Sequence, residues 1–490
     1  MNVQKKLINA YFWNVFGKWG VRTIGIGSTL ILVRLIAPES FGIIALAGIC
    51  IGFFETLQAI GIDRYLITKT SLSPEDMNSG WTLNIILKLT ISLALVIASP
   101  YMSYYFDEPR LDLVITVVAV NGFFSSFNNI GLIKLKKNLE FKMISYLELV
   151  VKVISTVITV IFAYFSPNYW ALIVGSGASV WIYLFGSYII CDYRPKFRFK
   201  FERSMFSFSI FIVFRNVLSY CRNRGDTFVV SKLFDVSSIG KYKVGLDFAI
   251  MPFSEIIMPA GQAMFPGMAN YKNNKNELLD KSYKYLALVY LFLIPSVVGI
   301  WFIAPQFCTV ILGEKWSDTA PIMSSLAILM IAYPISAMTN NLFDYLGMPK
   351  FGVFNDLFGL MSLLFIAISF TFDGVDQFSQ FRGYIGLATF LFAIVFARIT
   401  ISFSIKKMLE IIIVPVAASF FMYIALSSVY FDNSMTLLGM LSNVLFGAMV
   451  YTCCLLFLIA IFKSYSDVWC FWYAKIIDAS NGLRNFRKPS

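Results

Sequence analysis

Apolar runs of about 20 residues, parted by short polar turns, follow one another along almost the whole of this chain. A run of that length is what an α-helix needs to cross the hydrocarbon core of a bilayer. Lipid offers no water to satisfy peptide groups, so repeated runs of this kind leave a bundle of spanning helices as the available fold. Composition agrees: 58% of the 490 residues are apolar and only 14% are charged. That is about half the charge of an ordinary soluble domain. The apolar surplus has to face lipid. The fold class is an all-α polytopic membrane protein.

Fourteen runs read as spans: about 11–35, 41–66, 80–102, 111–133, 143–165, 170–190, 205–231, 244–269, 283–312, 320–346, 351–372, 383–403, 411–431 and 435–462. Connectors such as Ser166-Pro167-Asn168, Gly347-Met348-Pro349 and Asp432-Asn433-Ser434 carry turn chemistry. The seventh and eighth runs are the least apolar and are expected to line a wet cavity. The first run is long and lacks a small-residue cleavage motif, so no cleavable signal peptide is expected. Sorting the loop lysines and arginines by alternate sides gives 24 against 6. Positive charge marks the cytoplasmic side, so the expectation is a cytoplasmic membrane protein with both termini inside.

Several chemistries drop out early. The chain has no histidine, which removes Ser–His triads and histidine-ligated zinc. Its seven cysteines include no CxxC pair and mostly sit in apolar runs, where they read as small buried hydrophobes. Nothing implies a metal or a cofactor. The net charge of +12 is accounted for by cytoplasmic loops, not by nucleic-acid binding. No GxxxxGK[ST] loop is present to hydrolyse ATP. No predicted outside loop exceeds about a dozen residues, so a separate catalytic domain has no room and the chain reads as a non-enzyme.

An internal repeat organises the spans. Arg34-Leu35-Ile36-Ala37-Pro38-Glu39-Ser40-Phe41-Gly42 follows the first, and Lys232-Leu233-Phe234-Asp235-Val236-Ser237-Ser238-Ile239-Gly240 follows the seventh, at an offset of 198. Six spans separate them, which predicts two six-helix lobes in parallel orientation. The expected division is 1–203, 204–407, an added helix pair at 408–462 and a basic cytoplasmic tail at 463–490.

Ionisable side chains at bilayer depth are costly and call for a function or a partner. Lys18 and Arg22 share one face of the first span. Arg215, Arg222 and Asp226, at spacings of seven and four, form one stripe on the seventh. Cations on two repeat-related helices would build a positive chamber suited to a phosphate or diphosphate, which arginine grips with two parallel hydrogen bonds. Snorkelling to the interface is the competing reading. Glu55, Asp226 and Glu255 are candidates for charge balance or ion coupling, with Glu55 read first as a salt-bridge partner of Arg22. Glu148 and Lys152, four residues apart, read as a pair that neutralises itself. Pro252, Pro259, Gly261, Pro266 and Gly267 interrupt the eighth run, and Pro295 and Gly299 the ninth, which permits bending.

Three stretches together resemble a known family. They are Leu32-Val33-Arg34-Leu35-Ile36-Ala37-Pro38-Glu39-Ser40-Phe41-Gly42, Met251-Pro252-Phe253-Ser254 through Pro259 to Met264-Phe265-Pro266, and Ile311-Leu312-Gly313-Glu314-Lys315-Trp316 followed by Ala320-Pro321-Ile322. In that order the chain looks like a polysaccharide or O-antigen flippase, of the colanic-acid-exporter-like branch of the multidrug/oligosaccharidyl-lipid/polysaccharide exporter superfamily. It departs from that pattern after Asp226, where Val230-Ser231 and Leu233-Phe234 stand in place of Ile-Gly and Leu-Gly. The resemblance implies an oligosaccharide on a polyprenyl diphosphate as substrate, moved between leaflets by alternating access. Membrane lipid and other polysaccharide-assembly proteins are the implied partners. On the residues alone, a multidrug-type ion-coupled antiporter and a membrane glycan polymerase stay open. The first would want an acidic cavity, and the second a sizeable loop or paired carboxylates.

Overall fold

The computed structural model describes residues 3–57, 62, 66–67, 69, 71–200, 210–428 and 435–486, with the side chains of 210–215 among those left undescribed. Helices dominate, and no strand occurs among the described residues. In chain order they are α1 (Val3–Leu35), α2 (Pro38–Leu57), α3 (Pro74–Tyr105), α4 (Arg110–Phe124), the short α5 (Leu132–Lys137), α6 (Phe141–Phe165) and α7 (Trp170–Ile190). Then come α8 (Ile210–Leu233), α9 (Val236–Ala249), α10 (Met258–Met268), α11 (Lys275–Gln306), α12 (Thr319–Ala327) and α13 (Leu329–Tyr345). The last are α14 (Pro349–Ser369), α15 (Val375–Ile401), α16 (Ile405–Ser428), α17 (Leu437–Phe462) and α18 (Asp467–Phe486).

Among the described residues eleven helices are long and apolar enough to cross a membrane, or twelve if the bent pair Val236–Ala249 and Phe253–Gly261 counts as one span. The protein is therefore a multi-pass membrane protein. The two remaining sequence runs are α1 and α8, whose charges at mid-length lower their hydropathy. The chain folds as two compact units, Met1–Gly240 and Lys241–Ser490.

In the first unit α1 lies along α6 and α6 along α7, while α3 pairs with α4. The α1–α6 contact is close because Gly17 faces Ser145, whose Oγ donates to the Trp13 carbonyl at 2.9 Å, and Gly20 faces Leu149. The fourth run ends earlier than its apolar pattern predicts, at Phe124 instead of about 133. Asn129 is the reason. Its side-chain amide donates to the carbonyls of Cys191 and Tyr193 at 3.0 and 2.7 Å, and its Oδ1 accepts from the Gly131 N–H at 2.9 Å. These bonds tie the chain between α4 and α5 to the segment leaving α7. That segment runs extended past the start of α3, where Asn78 Oδ1 accepts from the Lys196 N–H at 3.0 Å. α3 itself starts with a capping box, Ser73 and Asp76 bonding each other's backbone N–H, with Pro74 in the first turn.

The second unit is built on α11, which packs against α12, α13, α16 and α17. Pro295 was expected to interrupt this span, yet α11 runs through it as one helix. A proline lacks the N–H that would bond the carbonyl four residues back. Here the Tyr451 hydroxyl of α17 donates to that carbonyl, Leu291 O, at 2.7 Å. The eighth run does bend, by 52°, through a π-helical turn at Phe253–Ile257 that follows Pro252. Residues 467–486, read as tail, form α18. Its fully buried Trp469 donates from Nε1 to Glu410 O at 2.8 Å, and Trp472 donates to Lys284 O at 3.1 Å.

Candidate functional site

α1 presents Lys18 and Arg22 one turn apart, both exposed. α8 presents Arg222, half-buried, with its Nη2 donating to Asn223 Oδ1 at 3.2 Å, and Arg224, exposed. Arg215 lies on α8 as the pattern predicts, but its side chain falls outside the described residues. Asp226, on the same helix, is only 2% exposed. Its Oδ1 accepts from the Thr227 N–H at 2.8 Å, so the carboxylate is turned into packed structure and held by backbone.

α8 is seated on α2. Tyr220 donates to the Ile49 carbonyl at 2.6 Å, in the space that Gly52 leaves by lacking a Cβ. Glu55, one turn further along α2, is exposed and makes no ion pair among the described residues, so the expected bridge to Arg22 is not formed. Glu255 belongs to the second unit, on the π-helical turn, where Ser254 Oγ donates to its Oε1 at 2.9 Å. Thus the described cations Lys18, Arg22 and Arg222 all lie in the first compact unit, with Glu55 and Asp226.

The structure also recruits a residue that the pattern passed over. Glu148 and Lys152 make no ion pair with each other among the described residues, against the sequence expectation for an i,i+4 pair. Lys152 instead reaches toward α1, where a Cβ on Gly25 would lie 3.6 Å from its Nζ. Glu148 and Lys152 both line a cavity of about 470 Å³ between α1, α6 and α7. α1 contributes Val21, Gly25, Ser28, Thr29 and Leu32 to that pocket. Hydroxyl residues at helical spacing on α6 and α7 were the signal that could have found it.

The two repeat stretches meet in space. A Cβ on Gly42 would overlap the Val236 carbonyl oxygen, and one on Gly240 would overlap the Pro38 carbonyl oxygen. Positions 38 and 236, and 42 and 240, are each separated by the repeat offset of 198, so the contact is reciprocal. Nearby, Lys232 lies over the Tyr105 ring and its ammonium donates to the Tyr105 carbonyl. Arg110 spans Glu108 and Glu39 at 2.7 and 2.6 Å. The Arg110 guanidinium holds the Glu108 carboxyl below the usual carboxylate range. Asp318, in the second unit, is held low in the same way by Lys241 at 2.6 Å.

The fold defines the class first. It is shared with a lipid II flippase, MurJ, solved in an inward closed conformation, at a TM-score of 0.67, 16% identity and coverage of 91% of this chain and 98% of that one. It is shared also with an outward-facing multidrug-resistance transporter of the MATE family and MOP superfamily, at a TM-score of 0.52, 17% identity and coverage of 80% and 95%. The family follows from sequence. The model of the polysaccharide biosynthesis protein family matches residues 31–321, and the chain belongs to that family. Among its relatives are the lipopolysaccharide biosynthesis protein WzxC of Escherichia coli K12, 21% identical over 67% of this chain and 68% of that one. Another is the succinoglycan biosynthesis transport protein ExoT of Rhizobium meliloti, 20% identical over 64% of each chain.

Proposed function

We propose that this protein is a flippase that carries a polyprenyl-diphosphate-linked oligosaccharide, an exopolysaccharide or O-antigen unit, across the cytoplasmic membrane by alternating access. The observation that carries the reading is the set of cations carried by the helices α1 and α8 in a chain of the polysaccharide biosynthesis family. Lys18, Arg22, Arg215 and Arg222 bind the diphosphate. Two anionic phosphate groups desolvated in a membrane need compensating charge, and guanidinium groups supply it with paired donors. Relatives named for polysaccharide transport and a structural neighbour named for flipping lipid II point the same way. A multidrug antiporter for cations is disfavoured by the sign of these charges. The protein performs no bond chemistry in this reading, and its partners are the lipid-linked glycan, the surrounding lipid and other proteins of polysaccharide assembly. Both termini lie in the cytoplasm, following the 24 to 6 bias of loop cations.

In this reading alternating access uses two six-helix lobes defined by the repeat, 1–203 and 204–407, with the pair 408–462 appended; α8 opens the second lobe by repeat although it packs within the first compact unit. The reciprocal Gly42–Gly240 contact supports the repeat behind that division, since only symmetry-equivalent elements would meet through equivalent residues. The bent eighth run supplies a compliant segment, with Glu255 on it, while Glu55 and Asp226 balance charge or couple an ion. Replacing Arg22 and Arg215 together by glutamine tests the site. Export of the polysaccharide is lost while the protein stays at normal levels in the membrane. Undiminished export removes the diphosphate assignment.

A further inference from the structure

We propose that the cavity between α1, α6 and α7 is a sugar-binding subsite, which takes a pyranose ring of the glycan through its hydroxyls. The proposal rests on the flippase reading and adds where that substrate's carbohydrate is recognised. The cavity's volume of about 470 Å³ falls in the range of small-molecule sites. Ten of its sixteen lining residues carry polar side chains among apolar ones, and the polarity has a particular form. Thr29, Thr159 and Ser179 donate their hydroxyl protons to carbonyls of their own helices, at 3.0, 2.7 and 2.6 Å. What such hydroxyls offer the cavity is oxygen lone pairs. Thr156 also lines the cavity, and its Oγ1 is buried without a hydrogen-bond partner among the described residues. A carboxylate, Glu148, and an ammonium, Lys152, complete the lining without pairing with each other.

This donor and acceptor balance selects among ligands. An acceptor-rich wall wants a ligand that brings its own donors. An ionised phosphate brings none and is opposed by Glu148. A bare cation would be satisfied by lone pairs but is opposed by Lys152, whose ammonium lines the cavity. A neutral polyol fits both charges: its hydroxyls donate to Glu148 and to the threonine and serine oxygens, and its ring or hydroxyl oxygens accept from Lys152. Rotated toward the cavity, the unpartnered Thr156 hydroxyl would add one more donor and acceptor for a polyol. The cavity shares α1 with Lys18 and Arg22, its wall including Val21 and Gly25 of that helix, so a sugar held there and a diphosphate held by α1 would be bound on one helix.

The test compares two probes on the full chain in lipid nanodiscs. One is undecaprenyl diphosphate without sugar, and the other is the lipid-linked oligosaccharide extracted from the source cells. The wild-type protein is expected to bind the sugar-bearing lipid roughly ten-fold or more tightly than the bare one, as a site built around ligand hydroxyls does. Thr156→Val and Glu148→Gln are each expected to shrink that ratio while leaving affinity for the bare lipid unchanged. Arg22→Gln is expected to weaken both probes together. Equal wild-type binding of the two probes overturns the subsite and leaves the flippase reading standing, and this holds even if a variant fails to fold. Loss of both probes in Thr156→Val, with the protein folded, also overturns it by assigning the cavity to the phosphate or to packing. Sodium-dependent stabilisation that Glu148→Gln abolishes, with the sugar preference intact, overturns it in favour of a cation site. Failure of the wild-type protein to bind either probe defeats the flippase reading itself.

Discussion

Lys152 shows how far a single side chain can move an interpretation. Four residues from Glu148 on a helix, it reads as half of a self-neutralising pair, yet the two make no ion pair among the described residues and Lys152 reaches instead to Gly25 on a neighbouring helix. Spacing along one helix says which residues share a face, and says nothing of what the next helix brings to it. Tyr451 is the converse case, a tyrosine with no motif around it that satisfies the Leu291 carbonyl freed by Pro295. Tyr451→Phe leaves that buried carbonyl without its donor. It should cost about 1–2 kcal/mol, measured as a lower midpoint of thermal unfolding in detergent. An unchanged midpoint would mean that α11 needs no such support. Glu108 gives a dependence on pH. Its carboxyl is buried and held below the usual range by Arg110. A depressed carboxylate stabilises the folded state above its unfolded pKa, and that contribution fades as pH falls through the folded value. Wild-type unfolding followed from pH 7 to pH 3 should therefore lose stability more steeply than Glu108→Gln. Parallel curves would contradict the role given to Arg110.

Among the elements, the turns that follow α1 and α8 are joined most intimately. Gly42 and Gly240 let backbone meet backbone, each against a carbonyl of the other's helix start. Alanine at either position has to displace main chain, which typically costs about 1–3 kcal/mol. The two substitutions act on one contact, so their effects on stability should fall well short of additive. Additivity within about 0.5 kcal/mol would show that the glycines serve separate contacts. At the other end of the chain, α18 depends on Trp469, fully buried and bonded to the Glu410 carbonyl. Trp469→Ala should release the helix, seen as faster proteolysis of the C-terminal segment while the rest of the bundle stays intact. Unaltered proteolysis would mean that Trp472 and the aromatic contacts of Lys284 and Lys463 suffice to dock it.

For the whole molecule, the all-helical, multi-pass character was legible because twenty apolar residues have one stable arrangement in lipid, while eleven or twelve of the fourteen predicted spans meet that test among the described residues. The cationic faces of α1 and α8 were legible because charge in an apolar run stands out against its neighbours. What the sequence concealed depends on several helices at once. The pocket on α6 is polar through scattered serines and threonines that mimic ordinary helix surface. The end of α4 is fixed by Asn129 reaching residues more than 60 positions away. The uninterrupted course of α11 depends on a hydroxyl supplied from 160 positions further on. The central claim is transport of a lipid-linked glycan between leaflets, and the sidedness of that lipid in spheroplasts lacking the gene tests it most directly. The account predicts that the intermediate accumulates protected from probes added outside, because translocation is the missing step. An intermediate exposed on the outer face but left unpolymerised would contradict it and place the protein after flipping.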